Sequence, residues 1–257
     1  MNASRPLAVE CIGVSKTFAL PHDTRSNLRD YFKHPFKQSE VEQNRVLDGV
    51  DLSTYEGEFF GIVGPNGSGK STLLKIIAGI YRQTSGVVRV FGKLSPFIEL
   101  GVGFHLELNA RDNVRINGTL LGLSQRQIDD RFPEILAFAE LERFVDQKLK
   151  NYSTGMQLRL AYSIAIQAPF EILLLDEVFA VGDESFQEKC QETFAGMRAE
   201  RKTVVLVSHD LDWIGRYCDR ALLLRGGVVQ ETGPARDVVE LYLEQERAAL
   251  APEVPIS

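Results

Sequence analysis

Short apolar runs alternate along this chain with stretches of helical period, which is the rhythm of a largely parallel sheet with helices packed over it. Three runs stand out: Phe59 to Val63, Ile172 to Leu175 and Val204 to Val207. Each is too short for a buried helix, and each ends in residues able to do chemistry. Ligands of open α/β sheets gather beyond the carboxyl ends of strands, so the three runs point at one site.

Between the first and second runs lies a mainly helical stretch, roughly residues 110 to 168, which reads as an inserted subdomain. Ser124 with Gln127 forms a capping box, and Ile128, Phe132, Ile135, Leu136 and Ala139 follow on one face. Pro133 falls inside this pattern and predicts a kink or two short helices, because it removes the bond to the Asp129 carbonyl. A second helix is expected from about Thr154 to Ala168, with Leu160, Ile164 and Ala168 on its buried stripe and Pro169 closing it. After His209 come a short helix, the strand Ala221 to Leu224, the turn Arg225-Gly226-Gly227 and a last helix from about Ala235 to Ala249.

Composition narrows the class. With 257 residues, 44% of them hydrophobic, the chain can bury a substantial core. A formal charge of -6 argues against general affinity for nucleic acid. Cys11, Cys190 and Cys218 are far apart and form no C-x-x-C pair, which fits a reducing compartment. No secretion signal is expected ahead of the strand-like run Leu7 to Val14. The most apolar stretch, Ile172 to Val181, is interrupted by Asp176 and Glu177 and falls far short of the ~20 residues of a membrane helix.

Gly64-Pro65-Asn66-Gly67-Ser68-Gly69-Lys70-Ser71 fills every constrained position of G-x-x-x-x-G-K-[ST], directly after one strand and before a helix from Ser71 to Ala78 that Gly79 stops. The glycines let successive amides curl round phosphates, and the helix start adds positive partial charge. Lys70 is expected to reach the β- and γ-phosphates of ATP, Ser71 to ligate Mg²⁺ and Thr72 to continue the helix. The strand Ile172 to Leu175 delivers Asp176 to the metal and sets Glu177 to polarise water. Val204 to Val207 repeats the geometry and presents His209 at a strand end, where an imidazole can sense the γ-phosphate. His22, His34 and His105 read as structural.

These elements resemble the nucleotide-binding subunits of ABC transporters, over about Leu7 to Gln245. Tyr152-Ser153-Thr154-Gly155-Met156-Gln157 stands where the family carries Leu-Ser-Gly-Gly-Gln. Ser153 and Gly155 are retained, Thr154 replaces the first glycine and Met156 the glutamine. Without the family, Ser153 is simply a good N-cap. Ala180-Val181-Gly182-Asp183 resembles the D-loop and His209 the switch histidine. Phe18 sits where the family has an adenine-stacking aromatic, although as a bare residue it reads equally as core. Ile98 to Phe104 resembles the Q-loop but contains no glutamine, and Glu99 is the equivalent candidate for contacting the metal.

The resemblance implies an α/β fold, a P-loop NTPase core of ABC ATPase type with an inserted helical subdomain and an antiparallel β edge. It implies one ATPase domain, its RecA-like core at about 7–108 and 170–248, the helical subdomain at about 110–168 and a basic insertion at about 19–45. It also implies a head-to-tail homodimer sandwiching two ATP, driving two transmembrane permease subunits from the cytoplasmic face of the membrane.

The variant motifs resemble one branch most closely, the bacterial exporters of O-antigen, capsule and wall teichoic acid, whose cargo is lipid-linked glycan. That branch also carries an insertion between Phe18 and Val46. Here Arg25, Arg29, Lys33 and Lys37 recur at every fourth position beside Leu28, Phe32 and Phe36, the pattern of a basic amphipathic helix broken near Pro35. Such a face suits a membrane surface, and a solvated hairpin is the alternative. An importer or drug-exporter motor is the rival within the family. Non-transport relatives carry coiled-coil insertions or a second motor domain, and neither is expected here. No appended carbohydrate-binding domain is expected after the last helix.

Overall fold

The computed structural model describes residues 5–21, 41–97, 103–176 and 184–250. The chain begins with β1 (Leu7–Pro21), β2 (Val41–Tyr55), β3 (Phe59–Val63), α1 (Lys70–Ile77), β4 (Ser85–Val90) and β5 (Leu94–Phe97). Three helices follow: α2 (Ala110–Leu120), α3 (Gln125–Ala139) and α4 (Thr154–Gln167), with 3₁₀ turns at Glu142–Phe144 and Leu149–Asn151. The remainder is β6 (Ile172–Asp176), α5 (Glu184–Ala199), β7 (Thr203–Val207), α6 (Leu211–Tyr217), β8 (Arg220–Arg225), β9 (Val228–Pro234) and α7 (Ala235–Leu250).

Among the described residues the main sheet has the order β5-β6-β7-β3-β8-β9, parallel from β5 to β8, with β9 added antiparallel through the Gly226-Gly227 turn. A second, antiparallel sheet has the order β2-β1-β4. The apolar runs are continuous because both faces of the main sheet are covered. Side chains alternate between two cores: Phe59 and Val63 of β3 pack on one side with Leu173, Leu175, Val204 and Leu206, while Phe60 and Ile62 pack on the other with Leu174, Val205 and Val207. Gly61 lies where α6 comes closest, and a Cβ there would stand 2.8 Å from the Ile214 side chain.

A third core joins α2, α3 and α4 through Val114, Ile128, Ile135, Leu136, Leu160 and Ile164. The capping box of α3 is formed by Ser124 and Gln127, and all five residues of its expected apolar face are buried. Pro133 does not divide the helix: α3 runs unbroken across it. Both Pro133 and Asp129 are exposed, so the carbonyl released by the missing N–H faces water, which lowers the cost of continuing. The expected stripe of α4 accounts for only half of its burial. Leu158, Tyr162 and Ala165 enter the sheet's core while Leu160 and Ile164 enter the helical one, so α4 joins the two.

The first strand is longer than its apolar run. β1 continues to Pro21 and β2 starts at Val41, with a ladder running from Thr17↔Arg45 to Pro21↔Val41. The outer ends of the insertion expected at about 19–45 are therefore paired strand. Arg25, Arg29, Lys33 and Lys37 lie outside the described residues. No helix among the described residues is long and apolar enough to cross a membrane.

Candidate functional site

The carboxyl ends of β3, β7 and β6 are brought level by their register. Val207 pairs with Ile62 on one side and Asp176 on the other. The chain leaving β3 forms the loop 64–69 and enters α1. The chain leaving β7 reaches His209, and Asp176 ends β6. Three segments far apart in sequence thus emerge at one edge of the sheet.

Within the loop, Gly64 has φ 153 and a Cβ on it would lie 2.0 Å from the Leu224 carbonyl oxygen, so no side chain fits. Lys70 is buried and donates to the carbonyls of Gly64 at 2.7 Å and Pro65 at 2.9 Å, which holds its ammonium inside the loop. Gly69 is the N-cap of α1 and supplies no side-chain acceptor, so the first-turn amides and the positive end of the helix are offered to a ligand. Asn66 and Gly67 are exposed, Ser71 and Thr72 half-buried. The Ser68 hydroxyl is buried with no hydrogen-bond partner among the described residues. A cradle that excludes a Cβ, an uncapped helix start and an enclosed ammonium fit a polyphosphate.

The Ser71 hydroxyl and the half-buried Asp176 carboxylate are hard oxygen donors of the kind Mg²⁺ takes together with phosphate oxygens. No group of three or more His, Cys, Asp or Glu able to hold a metal occurs among the described residues. Glu99, Glu177 and Asp183 lie outside the described residues.

His209 is exposed on a tight turn. The Asp210 amide donates to the Ser208 hydroxyl at 3.0 Å, and the Asp210 carboxylate caps α6 by accepting from the Trp213 amide at 3.2 Å. These flanking residues, which fix the path of the chain at His209, were not among the expected site residues, although Ser-His-Asp ahead of a helical pattern is a readable capping signal.

Phe18 is half-buried and meets Tyr81 edge-on, with ring centroids 5.6 Å apart. The Lys16 ammonium lies 4.7 Å from the Phe18 ring centre and donates to the Arg82 carbonyl at 2.8 Å. Tyr81 carries no sequence signal that would mark it as part of this cluster.

Ser153 caps α4 by accepting from the Met156 amide at 3.2 Å. Ser153 is exposed, with Gly155 and Met156 half-buried, in a hollow shared with Glu140, Leu141, Phe144 and Arg159. Glu140 ends α3 at φ 60, bonds Lys189 and accepts from Arg159 at 2.9 Å. The Lys189 bond foremost, with the Arg159 charge, holds the Glu140 carboxyl below the usual range. A separate apolar cleft of about 500 Å³ opens between β5, α2 and α4, edged by the exposed Ile80 and Leu120.

The family model described as ABC transporter matches residues 47–180. An O-antigen export system ATP-binding protein of Klebsiella pneumoniae is 36% identical over 232 residues, 89% of this chain and 94% of its own length. One from Myxococcus xanthus is 42% identical over 199 residues, 77% of this chain, and the match spans 46% of that longer relative. A solved dimeric ATP-binding cassette, in a post-hydrolysis state with ADP and Pi, superposes with TM-score 0.71 at 28% identity, covering 89% of this chain and 99% of its own.

Proposed function

Because the chain belongs to the ABC transporter family, we propose that it is the ATP-binding and ATP-hydrolysing subunit that powers export of a lipid-linked cell-surface polysaccharide across the bacterial inner membrane. The observation that carries the motor reading is the shared level of Ile62, Val207 and Asp176, which sets a phosphate loop beside a carboxylate. The cargo is supported by the Klebsiella relative, an O-antigen export protein matched along nearly its whole length.

In this reading the amides of Gly64 to Thr72 wrap the triphosphate, with Pro65, Asn66 and Ser68 shaping the turn. Lys70 exchanges the carbonyls of Gly64 and Pro65 for the β- and γ-phosphates. Ser71 and Asp176 would hold Mg²⁺, with Glu99 as a further candidate ligand. When bound, the ion offsets the charge that gathers on the phosphoryl oxygens. Glu177 takes the proton of the attacking water and His209 faces the γ-phosphate. Phe18 offers a ring to adenine, steadied by the edge of Tyr81.

The exposure of Ser153, with Gly155 half-buried beside it in a hollow between the end of α3 and the start of α4, supports their acting on a second copy rather than on their own phosphate loop. Ser153, Gly155 and Met156 of one subunit, with Asp183, complete the site of the other in a head-to-tail homodimer. The three separate cores support a division into a RecA-like core and a helical subdomain at about 110–168. Two permease subunits hold the dimer at the cytoplasmic face of the membrane, and the exposed apolar cleft beside Ile80 and Leu120 supports a protein partner.

Deletion of the gene tests the cargo directly: lipid-linked glycan accumulates inside the cell and disappears from its surface. Unchanged surface glycan overturns polysaccharide export, and absence of Mg²⁺-dependent ATPase activity in the purified chain overturns the motor itself.

A further inference from the structure

Behind the phosphate loop, three stretches of chain close on one another. Gly227, in the turn between β8 and β9, donates its N–H to the Ser68 carbonyl at 3.2 Å, and its own carbonyl accepts from the Asp48 amide at 2.9 Å. One residue therefore ties the loop to β2. The contact is backbone on backbone. A Cβ at Gly227 would lie 2.5 Å from the Val46 carbonyl oxygen and 3.2 Å from the Leu47 Cα. From the loop side, a Cβ at Gly69 would lie 2.9 Å from the same Val46 oxygen. The three atoms nearest a Gly227 Cβ are all backbone, so nothing there can rotate away to make room, while at Gly69 the Leu47 side chain stands nearer still, at 2.6 Å.

The direction of the bond gives it a consequence. A peptide unit is planar and trans, so the Ser68 carbonyl and the Gly69 N–H point in opposite directions. A donor that fixes the carbonyl from behind aims that amide into the concave side of the loop. Fixed dipoles of this kind need no reorganisation when an anion arrives. We infer that Gly227 is a positioning residue of the nucleotide site, holding the Ser68–Gly69 peptide in its phosphate-facing orientation through the bridge to Asp48. The inference rests on the reading of this loop as the ATP site.

Gly226 supplies the control. It has φ 59 and shares the turn, yet a Cβ on it meets nothing within 4 Å. Gly226→Ala thus introduces left-handed strain into the turn without entering the gap, whereas Gly227→Ala, at φ 79, does both. The test measures binding of a fluorescent ADP analogue and steady-state ATP hydrolysis for the full chain and each variant, with circular dichroism to report folding.

Gly227→Ala is expected to weaken analogue binding and raise the KM for ATP by about tenfold, the scale of one hydrogen bond to a charged group, with kcat within about threefold. Gly226→Ala is expected to stay within about twofold on both. Asp48→Pro removes the donor to Gly227 and sets the proline Cδ against the Gly227 carbonyl, so it opens the bridge from the β2 side without altering the loop, and it stands in if Gly227→Ala does not fold; a weakening of about threefold or more is expected. Wild-type binding in the folded Gly227→Ala chain, or in Asp48→Pro if that variant must serve, overturns the inference. So does an equal loss in Gly226→Ala. A wild-type chain that binds no nucleotide overturns the reading of the loop, and the inference with it.

Discussion

Asp176 and Ile62 sit on either side of Val207, each paired with it in a parallel ladder. Two strand spacings, about 10 Å, separate the carboxylate's strand from the strand that becomes the phosphate loop. All three strands are buried, so that separation is fixed by the core rather than by the ligand. Asp176→Asn keeps the size of the side chain and removes its charge. Mg²⁺-dependent hydrolysis should fall by about a hundredfold or more, with a higher Mg²⁺ requirement, while the unfolding temperature stays close to wild type. Phosphate release measured across a Mg²⁺ titration checks this, and an unchanged titration curve removes Asp176 from the metal site.

Glu177 follows Asp176 directly in the chain, and in the function proposed above it takes the proton of the attacking water. Glu177→Gln retains hydrogen bonding but cannot accept the proton. The variant should bind ATP, run as a dimer in gel filtration with ATP present, and hydrolyse about 10² to 10⁴ times more slowly. Turnover at the wild-type rate would show that another group takes the proton.

What was legible in the sequence was whatever local pattern decides. The runs of β3, β6 and β7 read as strands because both sheet faces are covered, and the α3 capping box read correctly because its two partners are three residues apart. Contacts between distant segments left no such trace. Nothing in the chain near Ser68 announces Gly227, and nothing near Phe18 announces Tyr81. Helical period marks only one stripe of α4, because the pattern carries a single buried side, whereas this helix is buried on two. β1 outruns its apolar run, Leu7 to Val14, and β2 reaches back to Val41, because residues 17–21 and 41–45 are held by cross-strand pairing, which polar residues such as Arg45 and Asn44 join as readily as apolar ones.

The thiols provide a pH-dependent check on the packing. Burial foremost, then Asp51 and Glu10, pushes Cys11 up to about 12, and burial pushes Cys190 up to about 12. Burial and Asp219 move Cys218 in the same direction. At pH 8 only about one Cys11 or Cys190 in ten thousand is then thiolate, the reactive form. A thiol reagent should therefore label Cys11 and Cys190 slowly in the native chain at pH 8 and all three cysteines promptly in guanidinium. The unfolded thiols ionise near 9.0 and the folded ones only near 12, so stability present below pH 9 is lost as pH rises through that window. The slope is about 1.4 kcal/mol per pH unit for each thiol. Rapid labelling of Cys11 or Cys190 in the native chain at pH 8 would contradict the burial of these sulfurs.

Pro133 sets two opposing effects against each other. Replacing it with Ala restores an N–H for the Asp129 carbonyl and removes a ring from the interior of α3, where proline costs ~3 kcal/mol relative to alanine in an unadapted helix. The helix here is already continuous and the Asp129 carbonyl faces water, so part of that cost has been relieved. Proline also narrows the unfolded ensemble, an advantage of about 0.4–1 kcal/mol that alanine gives up. The helical gain outweighs that loss, and Pro133→Ala should raise stability by about 1–2 kcal/mol, read as a higher urea midpoint at unchanged slope. A lower midpoint would mean that contacts of the exposed ring with its neighbours outweigh the missing hydrogen bond. ATPase activity should be unaffected either way, because Pro133 is exposed and is not among the buried residues through which α3 packs in the helical core.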